Sequence, residues 1–195
     1  MKFVDEATID IAAGDGGNGA GQINMSSDAV VQSTGRGGHG SGLGSVAGNG
    51  TGGSSAINLV GGTMTVGGNL DLTAEGYGGS ADAVNGNGLG GLTTLSLANS
   101  NVTLSGTTYI GAVGSGASSF FDGSGGNGTG GTINFVTSDS SVLFSANFDV
   151  TFEASGFAGD GNGAGTGSGG AVAIDLAGST ITSPIGMSVF AEGQA

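Results

Sequence analysis

A glycine-rich block recurs four times along the chain at nearly constant spacing. The blocks read GNGTGG (48–53), GNGLGG (86–91), GNGTGG (126–131) and GTGSGG (165–170), so their last glycines lie 38, 40 and 39 residues apart. Each of the first three blocks is followed by alternating apolar residues and then by a second glycine tract. A repeat of this length indicates an array of similar units that bury their apolar faces against one another.

Alignment of the units at these offsets brings apolar residues into columns. Stacked rungs require such columns, because each rung buries its inward side chains between the rungs on either side. The predicted columns are Ile57, Leu95, Phe135 and Ile174; Met64, Val102, Val142 and Ile181; and Leu72, Ile110, Val150 and Val189.

One unit contains three short stretches in which apolar and polar residues alternate: Ala56–Leu59, Thr63–Val66 and Asn69–Ala74. This alternation predicts strands with one buried face. The pairs Gly61-Gly62 and Gly67-Gly68 separate the strands and supply the positive φ angles of tight corners. Three strands and two corners predict one coil of a parallel β-helix, with a chain of antiparallel hairpins as the alternative.

The glycine tracts at 35–53, 76–91, 111–131 and 156–170 are too long for simple corners. Their regular recurrence predicts that they leave the helix at the same edge and stack as a second layer. Alternate glycines, as in GNGTG, favour extended strands with a bare face, whereas GDGGNG favours a helix of the polyglycine-II type.

The predicted fold class is therefore all-β: a parallel β-helix, or solenoid, of about five rungs with stacked glycine-rich lateral tracts. We expect one repeat domain over residues 1–195, with rung boundaries near 21, 53, 91, 131 and 170. The regularity of the units predicts that this domain is a fragment of a longer repetitive protein.

The charge balance limits the classes of partner. Fifteen acidic residues face two basic ones, Lys2 and Arg36, and the net charge is −13. This charge repels nucleic-acid phosphates and anionic lipids, so we expect no nucleic-acid partner. No apolar run approaches the roughly 20 residues of a membrane span, so we expect no membrane insertion. The absence of cysteine excludes disulfides and thiolate metal sites.

Motifs of catalysis and nucleotide binding give no site. His39, the one histidine, lies among glycines and is predicted to be a solvated loop residue. No GxxxxGK[ST] motif occurs, and Lys2 is the one lysine, which excludes a phosphate-binding loop of that type. Matches to GxGxxG arise by chance in a chain so rich in glycine and have no βαβ context.

Calcium is a stronger candidate ligand for this chain than a nucleotide. The stretch GGNGTGGTI (125–133) nearly follows a calcium-binding repeat, but Gly130 occupies the position of the aspartate ligand. Asp15, Asp122 and Asp160 lie in glycine tracts and could bind calcium weakly. We expect solvation and solubility to be their roles.

Glycoside hydrolysis requires a pair of carboxylates. One column of acidic residues is a candidate for this pair: it contains Glu75, Glu153 and Glu192 and is interrupted by Val113. No acidic cluster stands out across neighbouring rungs. We therefore predict no catalytic, cofactor-binding or metal-binding residues, no cofactor and no enzyme activity.

Outward-facing threonines leave ice binding open as a specific function. Thr63 with Thr65 and Thr180 with Thr182 form T-x-T pairs of the kind that flat ice-binding β-helices display. The two intervening units interrupt the array, because they carry Asn101 with Thr103 and Ser141 with Leu143.

The repeat units resemble those of a known group of proteins. The segment GGTMTVGGNLDLTAEG (61–76), followed by a tract that ends in GNGLGG, resembles glycine-rich β-strand-repeat exoproteins of bacteria, including filamentous-haemagglutinin-like and autotransporter passenger regions. The resemblance implies a structural or adhesive segment at the bacterial cell surface or outside the cell, although no secretory signal opens this fragment.

That resemblance also implies the partners. They are the surface of a host or neighbouring cell, through glycan or protein, and other copies of the chain, end to end or through the glycine tracts. The alternative function is a glycine-rich module that binds a specific receptor or ice. An enzyme acting on polysaccharide is a more remote alternative.

The opening stretch MKFVDEATIDIAAGDGGNG (1–19) resembles the start of the glycine-rich N-terminal domain of the Obg GTPases. A GTPase would require a G domain, which this chain lacks. Internally, residues 9–13 match Leu70–Ala74 and 148–152, and both of these are predicted third strands followed by a glycine tract. The sequence therefore predicts that residues 1–19 form the last strand of an incomplete first rung.

Overall fold

The fold is built from short strands joined by corners. The computed structural model describes residues 6–12, 21–119, 123–145 and 149–195, and within these ranges all regular secondary structure is β-strand. The strands are β1 (Glu6–Ala12), β2 (Gln22–Met25), β3 (Ala29–Arg36), β4 (Gly50–Thr51), β5 (Ser54–Val60), β6 (Thr63–Val66), β7 (Leu70–Tyr77), β8 (Gly88–Leu89), β9 (Leu92–Ala98), β10 (Asn101–Leu104), β11 (Thr108–Gly111), β12 (Gly114–Ser115), β13 (Gly128–Thr129), β14 (Thr132–Ser138), β15 (Ser141–Phe144), β16 (Val150–Glu153), β17 (Gly156–Phe157), β18 (Gly167–Ser168), β19 (Ala171–Ala177), β20 (Thr180–Thr182), β21 (Ser188–Phe190) and β22 (Gly193–Gln194).

These strands stack in four sheets, and every pairing among the described strands is parallel. The order in sheet A is β1-β5-β9-β14-β19 and in sheet B β2-β6-β10-β15-β20. Sheet C contains β3, β7, β11, β12, β16, β17, β21 and β22, and sheet D contains β4, β8, β13 and β18. The chain visits the sheets in the order A, B, C and D and completes about four turns. The predicted parallel β-solenoid is confirmed, and the antiparallel alternative is wrong.

The core lies between sheets A, B and C. Ile57, Leu95 and Phe135 stack in one inward column of sheet A, and each is at most 1% exposed. The Phe135 ring stacks on that of Phe152 in sheet C, with centroids 5.5 Å apart. Burial of each such side chain stabilises the fold by about 1.5–3 kcal/mol. The inward-facing side chains of the three sheets thus form one continuous hydrophobic core.

One predicted column is wrong by two residues in a single coil. Ile110 pairs with Phe152, which in turn pairs with Val189, whereas Val150 lies opposite Thr108. The chain has two more residues between β15 and β16 than between β10 and β11. An insertion of two residues leaves the alternating pattern unchanged, so the pattern does not reveal the shift.

Each described corner between sheets A and B contains one residue of positive φ. Gly61 (φ 66°), Asn99 (49°), Asp139 (47°) and Gly178 (60°) occupy this position. These are the residue types that accept the left-handed region at least cost. The prediction of positive φ at the second corner is wrong, because Gly67 and Gly68 lie outside that region. A glycine is needed at Gly68 for space, since a Cβ there would lie 2.6 Å from the backbone nitrogen of Asp28.

The first strand lies in a different sheet from the predicted one. β1 pairs with β5, with Ile9 opposite Ile57, and therefore belongs to sheet A instead of sheet C. The prediction of a last strand in an incomplete rung is wrong, because strands of all three core sheets share the same alternation and the pattern fits each of them. The stretch GDGGNG (14–19) lies outside the described residues.

The lateral tracts form an ordered two-layer extension of the solenoid. Each tract runs outward as a continuation of sheet C, turns, and returns along sheet D. The two layers meet on faces without side chains: a Cβ at Gly88 would overlap the carbonyl oxygen of Ser115, and a Cβ at Gly114 would overlap that of Thr129. The predictions of a stacked second layer and of extended strands with a bare face are confirmed for these described tracts.

Candidate functional site

The return strands of sheet D present a groove on their outer face. It runs along the solenoid axis across three coils, has a volume of about 300 Å³, and is lined by Asn49, Gly50, Thr51, Asn87, Gly88, Leu89, Asn127 and Thr129. We call this the return-strand groove. Its position follows from the alternation in GNGTG, because the glycines face the outgoing layer and the side chains between them face solvent.

One wall of the return-strand groove is a ladder of asparagines. The Oδ1 atom of Asn49 accepts a hydrogen bond from the backbone N–H of Asn87 (2.8 Å), and that of Asn87 accepts one from Asn127 (2.7 Å). Asn127 Oδ1 accepts from the backbone nitrogen and hydroxyl of Thr166, at 2.8 and 3.0 Å. A backbone N–H can donate only to the oxygen of the amide, so the orientation of each side-chain amide is fixed. The ladder uses the Oδ1 atoms, and the Nδ2 donors take no part in it.

The other wall is formed by Thr51, Leu89 and Thr129. Leu89 is 44% exposed, and both threonines are partly exposed. The backbone between the two walls belongs to buried glycines, including Gly50 and Gly88. All lining residues are uncharged, although the net charge of the chain is −13. The groove is therefore a neutral surface with polar and apolar walls.

A second cluster lies on the outer face of sheet C. The hydroxyl of Tyr77 donates to Glu75 Oε2 (2.7 Å), and that of Tyr109 donates to Glu153 Oε2 (3.0 Å) across to the next coil. The guanidinium of Arg36 lies 4.7 Å from the centre of the Tyr77 ring, within the range of cation–π attraction. The cluster thus contains charged and phenolic groups from four successive coils.

Burial changes the proton affinities in this cluster. The pKa of Asp71 is raised by burial and further by the charge of Glu75. Burial and a hydrogen bond to Glu75 raise the pKa of Tyr77 to about 12. Burial and the charge of Glu153 raise the pKa of Tyr109 strongly. The protonated forms of these groups are therefore favoured in the folded state.

The predicted carboxylate column is only partly formed. The register places Glu75, Val113 and Glu192 in one column, as predicted. Ser155 occupies the place in this column that was predicted for Glu153. Glu153 instead lies opposite Gly111, because the chain has two more residues between β15 and β16 than between β10 and β11. The missing side chain of Gly111 leaves room for the Tyr109 ring, since a Cβ there would lie 2.7 Å from Cε1 of that ring.

The remaining candidate residues lie in the tracts. Nδ1 of the exposed His39 accepts a hydrogen bond from the backbone nitrogen of Ser80 (3.0 Å), so this side chain links two tracts. Asp160 is exposed, and its backbone nitrogen donates to Ser118 Oγ (3.1 Å). Asp15 and Asp122 lie outside the described residues. In the described part of the chain, no group of three or more histidine and acidic side chains is arranged to hold a metal ion.

The threonine pairs lie on the outer face of sheet B. Thr63 and Thr65 pair with Asn101 and Thr103, as the alignment of the chain's own repeat units predicted. The interrupted array continues through the pairs Ser141 with Leu143 and Thr180 with Thr182. This face is therefore regular in its backbone and irregular in its side chains.

Sequence reasoning did not single out the asparagine ladder. Its signal was present, because asparagine occupies the second position of the blocks at 48–53, 86–91 and 126–131. Stacking of identical residues one strand apart is what converts this recurrence into a ladder.

No known protein family, curated protein or solved structure matches the chain. Across the described ranges, no helix has the length and apolar character needed to cross a membrane.

Proposed function

We propose that this protein is a non-catalytic structural and adhesive segment of a bacterial cell-surface or secreted repeat protein. The observation that carries the proposal is the stacking of the lateral tracts in register, which builds an ordered side layer beside the solenoid core. A rod of stacked coils extends by about 4.8 Å per coil. The side layer repeats the same backbone arrangement from coil to coil, which suits repeated weak contacts with another surface.

Exposed apolar groups at the tips of the tracts support an adhesive role. Leu43 is fully exposed between Gly42 and Gly44, which have φ angles of 101° and 77°. Val46 and Val84 are 66% and 45% exposed and pair with each other in adjacent coils. Apolar side chains displayed together in this way are typical of interaction surfaces.

The resemblance to filamentous-haemagglutinin-like and autotransporter passenger regions supports the same proposal, including the surface location. The Obg resemblance of residues 1–19 is not extended to function, because the sequence contains no GxxxxGK[ST] motif and a single lysine, Lys2.

An adhesion assay tests the proposal. Beads coated with the whole chain are expected to adhere to bacterial or epithelial cell layers under flow, and soluble chain should compete. Gly88→Val should abolish adhesion because it forces the two glycine layers apart. Gly38→Val is the matched control, since no atom lies within 4 Å of a Cβ at that position.

Circular dichroism would establish that each variant retains its β-structure. If Gly88→Val unfolds the chain, competition by the soluble wild-type chain decides the outcome. Wild-type beads that adhere no better than albumin-coated beads would contradict the adhesive role. Release of new reducing ends from polysaccharides would contradict the non-catalytic role.

Ice binding is a second candidate function, favoured by the registered pairing of Thr65 with Thr103 on an uncharged face of sheet B. A measurement of thermal hysteresis tests it directly. Thr65→Lys should abolish any hysteresis, because it places a long charged side chain in the centre of that face.

A further inference from the structure

We propose that the return-strand groove binds a neutral, hydroxyl-rich glycan chain that lies along the solenoid axis. This inference rests on the proposed adhesive function and names the class of its ligand. It is carried by three features of the groove: fixed amide donors, a narrow floor of glycine backbone, and the absence of charge among the residues that line it.

The amide donors are fixed in orientation and regularly spaced. Asn87 and Asn127 donate backbone N–H groups to the Oδ1 atoms of Asn49 and Asn87 respectively. Each amide is thereby held with its Nδ2 group available as a donor. Adjacent strands lie about 4.8 Å apart, so the donors form a row with that spacing. A chain of sugars offers a comparable row of hydroxyl acceptors.

The dimensions of the groove suit a ring-shaped unit. Asn87 and Leu89 are two residues apart on one strand, so the two walls are about 7 Å apart. Between them, Gly88 is buried and its backbone forms the floor. Leu89 is 44% exposed and offers an apolar surface to the C–H face of a sugar ring. Polar groups on one side and apolar groups on the other match the amphipathic character of a pyranose.

Charge distinguishes the class of glycan. An anionic polysaccharide would be repelled by a chain of net charge −13 and would find no cation among the groove residues. A cationic ligand would find no carboxylate there. An uncharged ligand has neither disadvantage, because it requires only hydrogen bonds and apolar contact.

Binding of defined oligosaccharides to the whole chain tests this inference. The probes are neutral hexose hexasaccharides, an anionic polyuronate and an uncharged extended peptide, measured by calorimetry. The main variant is Asn87→Asp, which keeps an oxygen to accept the Asn127 N–H and removes the amide donors. The matched control is Asn69→Asp, because Asn69 Oδ1 accepts from the backbone nitrogen of Thr107 (3.0 Å) in a similar ladder outside the groove.

We expect at least one neutral hexasaccharide to bind, with affinity reduced about tenfold by Asn87→Asp and unchanged by Asn69→Asp. A second pair, Leu89→Ser and Leu92→Ser, tests the apolar wall at two leucines that are 44% and 40% exposed. Only Leu89→Ser should weaken binding, since Leu92 lies outside the groove.

The inference is overturned if no neutral hexasaccharide binds, if the polyuronate or peptide binds more tightly, or if both members of each pair behave alike. Adhesion of wild-type beads in the absence of glycan binding would overturn the glycan ligand and leave the adhesive function standing. Glycan binding without bead adhesion would support the groove and contradict the adhesive function.

Discussion

At the scale of single residues, glycine has two separate roles in this chain. At Gly61 it provides a positive φ angle, a role that Asn99 and Asp139 take over in later coils. At Gly88 it provides space, because the carbonyl oxygen of Ser115 occupies the volume that a Cβ would need. The second role explains why glycine persists in the tracts, since no other residue lacks a Cβ.

Gly88→Ala should therefore destabilise the protein by about 2 kcal/mol or more, in the range of overpacked cores. Gly38→Ala should change the free energy of unfolding by less than about 1 kcal/mol, because a Cβ at Gly38 meets open space. Urea unfolding followed by circular dichroism measures both. Equal effects of the two substitutions would contradict the close packing of the two layers.

The tyrosines of sheet C should make stability sensitive to alkaline pH. Burial and a hydrogen bond to Glu75 raise the pKa of Tyr77 to about 12, and the charge of Arg36 opposes this increase whereas that of Asp71 adds to it. Burial and the charge of Glu153 raise the pKa of Tyr109. An unfolded tyrosine ionises near pH 10. The stabilisation from Tyr77 is thus complete below about pH 10 and is lost as the pH rises through about 12, and that from Tyr109 is likewise complete below about pH 10.

The free energy of unfolding measured between pH 8 and 12 tests this expectation. Tyr77→Phe combined with Tyr109→Phe should flatten the decline above pH 10, because neither replacement can ionise. A decline that is identical in the double variant would show that other groups cause the alkaline sensitivity.

At the scale of elements, polar ladders hold the corners in register. Ser140 Oγ accepts from the backbone nitrogen of Ser100 (3.1 Å) and donates to the carbonyl of Ser138 (2.8 Å). Ser179 accepts in the same way from the backbone nitrogen of Ser140 (3.0 Å). Each serine satisfies a backbone N–H of the neighbouring coil, so the ladder stabilises the stacking of coils as well as the corner.

Ser140→Ala should cost about 1–3 kcal/mol, because it leaves the buried nitrogen of Ser100 without its acceptor. Ser141→Ala is the control, since Ser141 is exposed on the outer face of the adjoining strand. That control should change stability by less than about 0.5 kcal/mol. Thermal or urea unfolding of the two variants decides whether the ladder stabilises the fold as expected.

At the scale of the whole molecule, the last coil exposes residues whose counterparts in the three preceding coils are buried. Ile174 continues the column of Phe135 but is 38% exposed, and Leu176 continues that of Leu97 and is 40% exposed. A parallel coil with an open edge and an apolar inward face is suited to pair with another coil. We therefore expect association between copies of the chain, end to end.

Analytical ultracentrifugation over a range of concentrations measures this association. Ile174→Lys should weaken it, because a charge then lies on the inward face of the last coil. Ala173→Lys is the control, since Ala173 is the neighbouring residue on the outward face of β19. If the two variants associate as strongly as the wild-type chain, the contact lies elsewhere.

The sequence alone determined the solenoid and its side layer. A period of 38 to 40 residues with apolar residues in columns leaves few ways to bury every unit except parallel stacking. Alternate glycines likewise predicted the close layers of the tracts, because only a strand without side chains on one face permits such an approach. These features follow from local patterns that repeat in every unit.

Only the tertiary structure decided the register. Alternation with a period of two fits any of the three core sheets and survives an insertion of two residues. It therefore could not place β1 in sheet A or Phe152 beside Ile110. The asparagine ladder and the bond between Tyr109 and Glu153 also required the fold, because the residues that they join are 38 to 44 positions apart in sequence and become adjacent only after the coils stack.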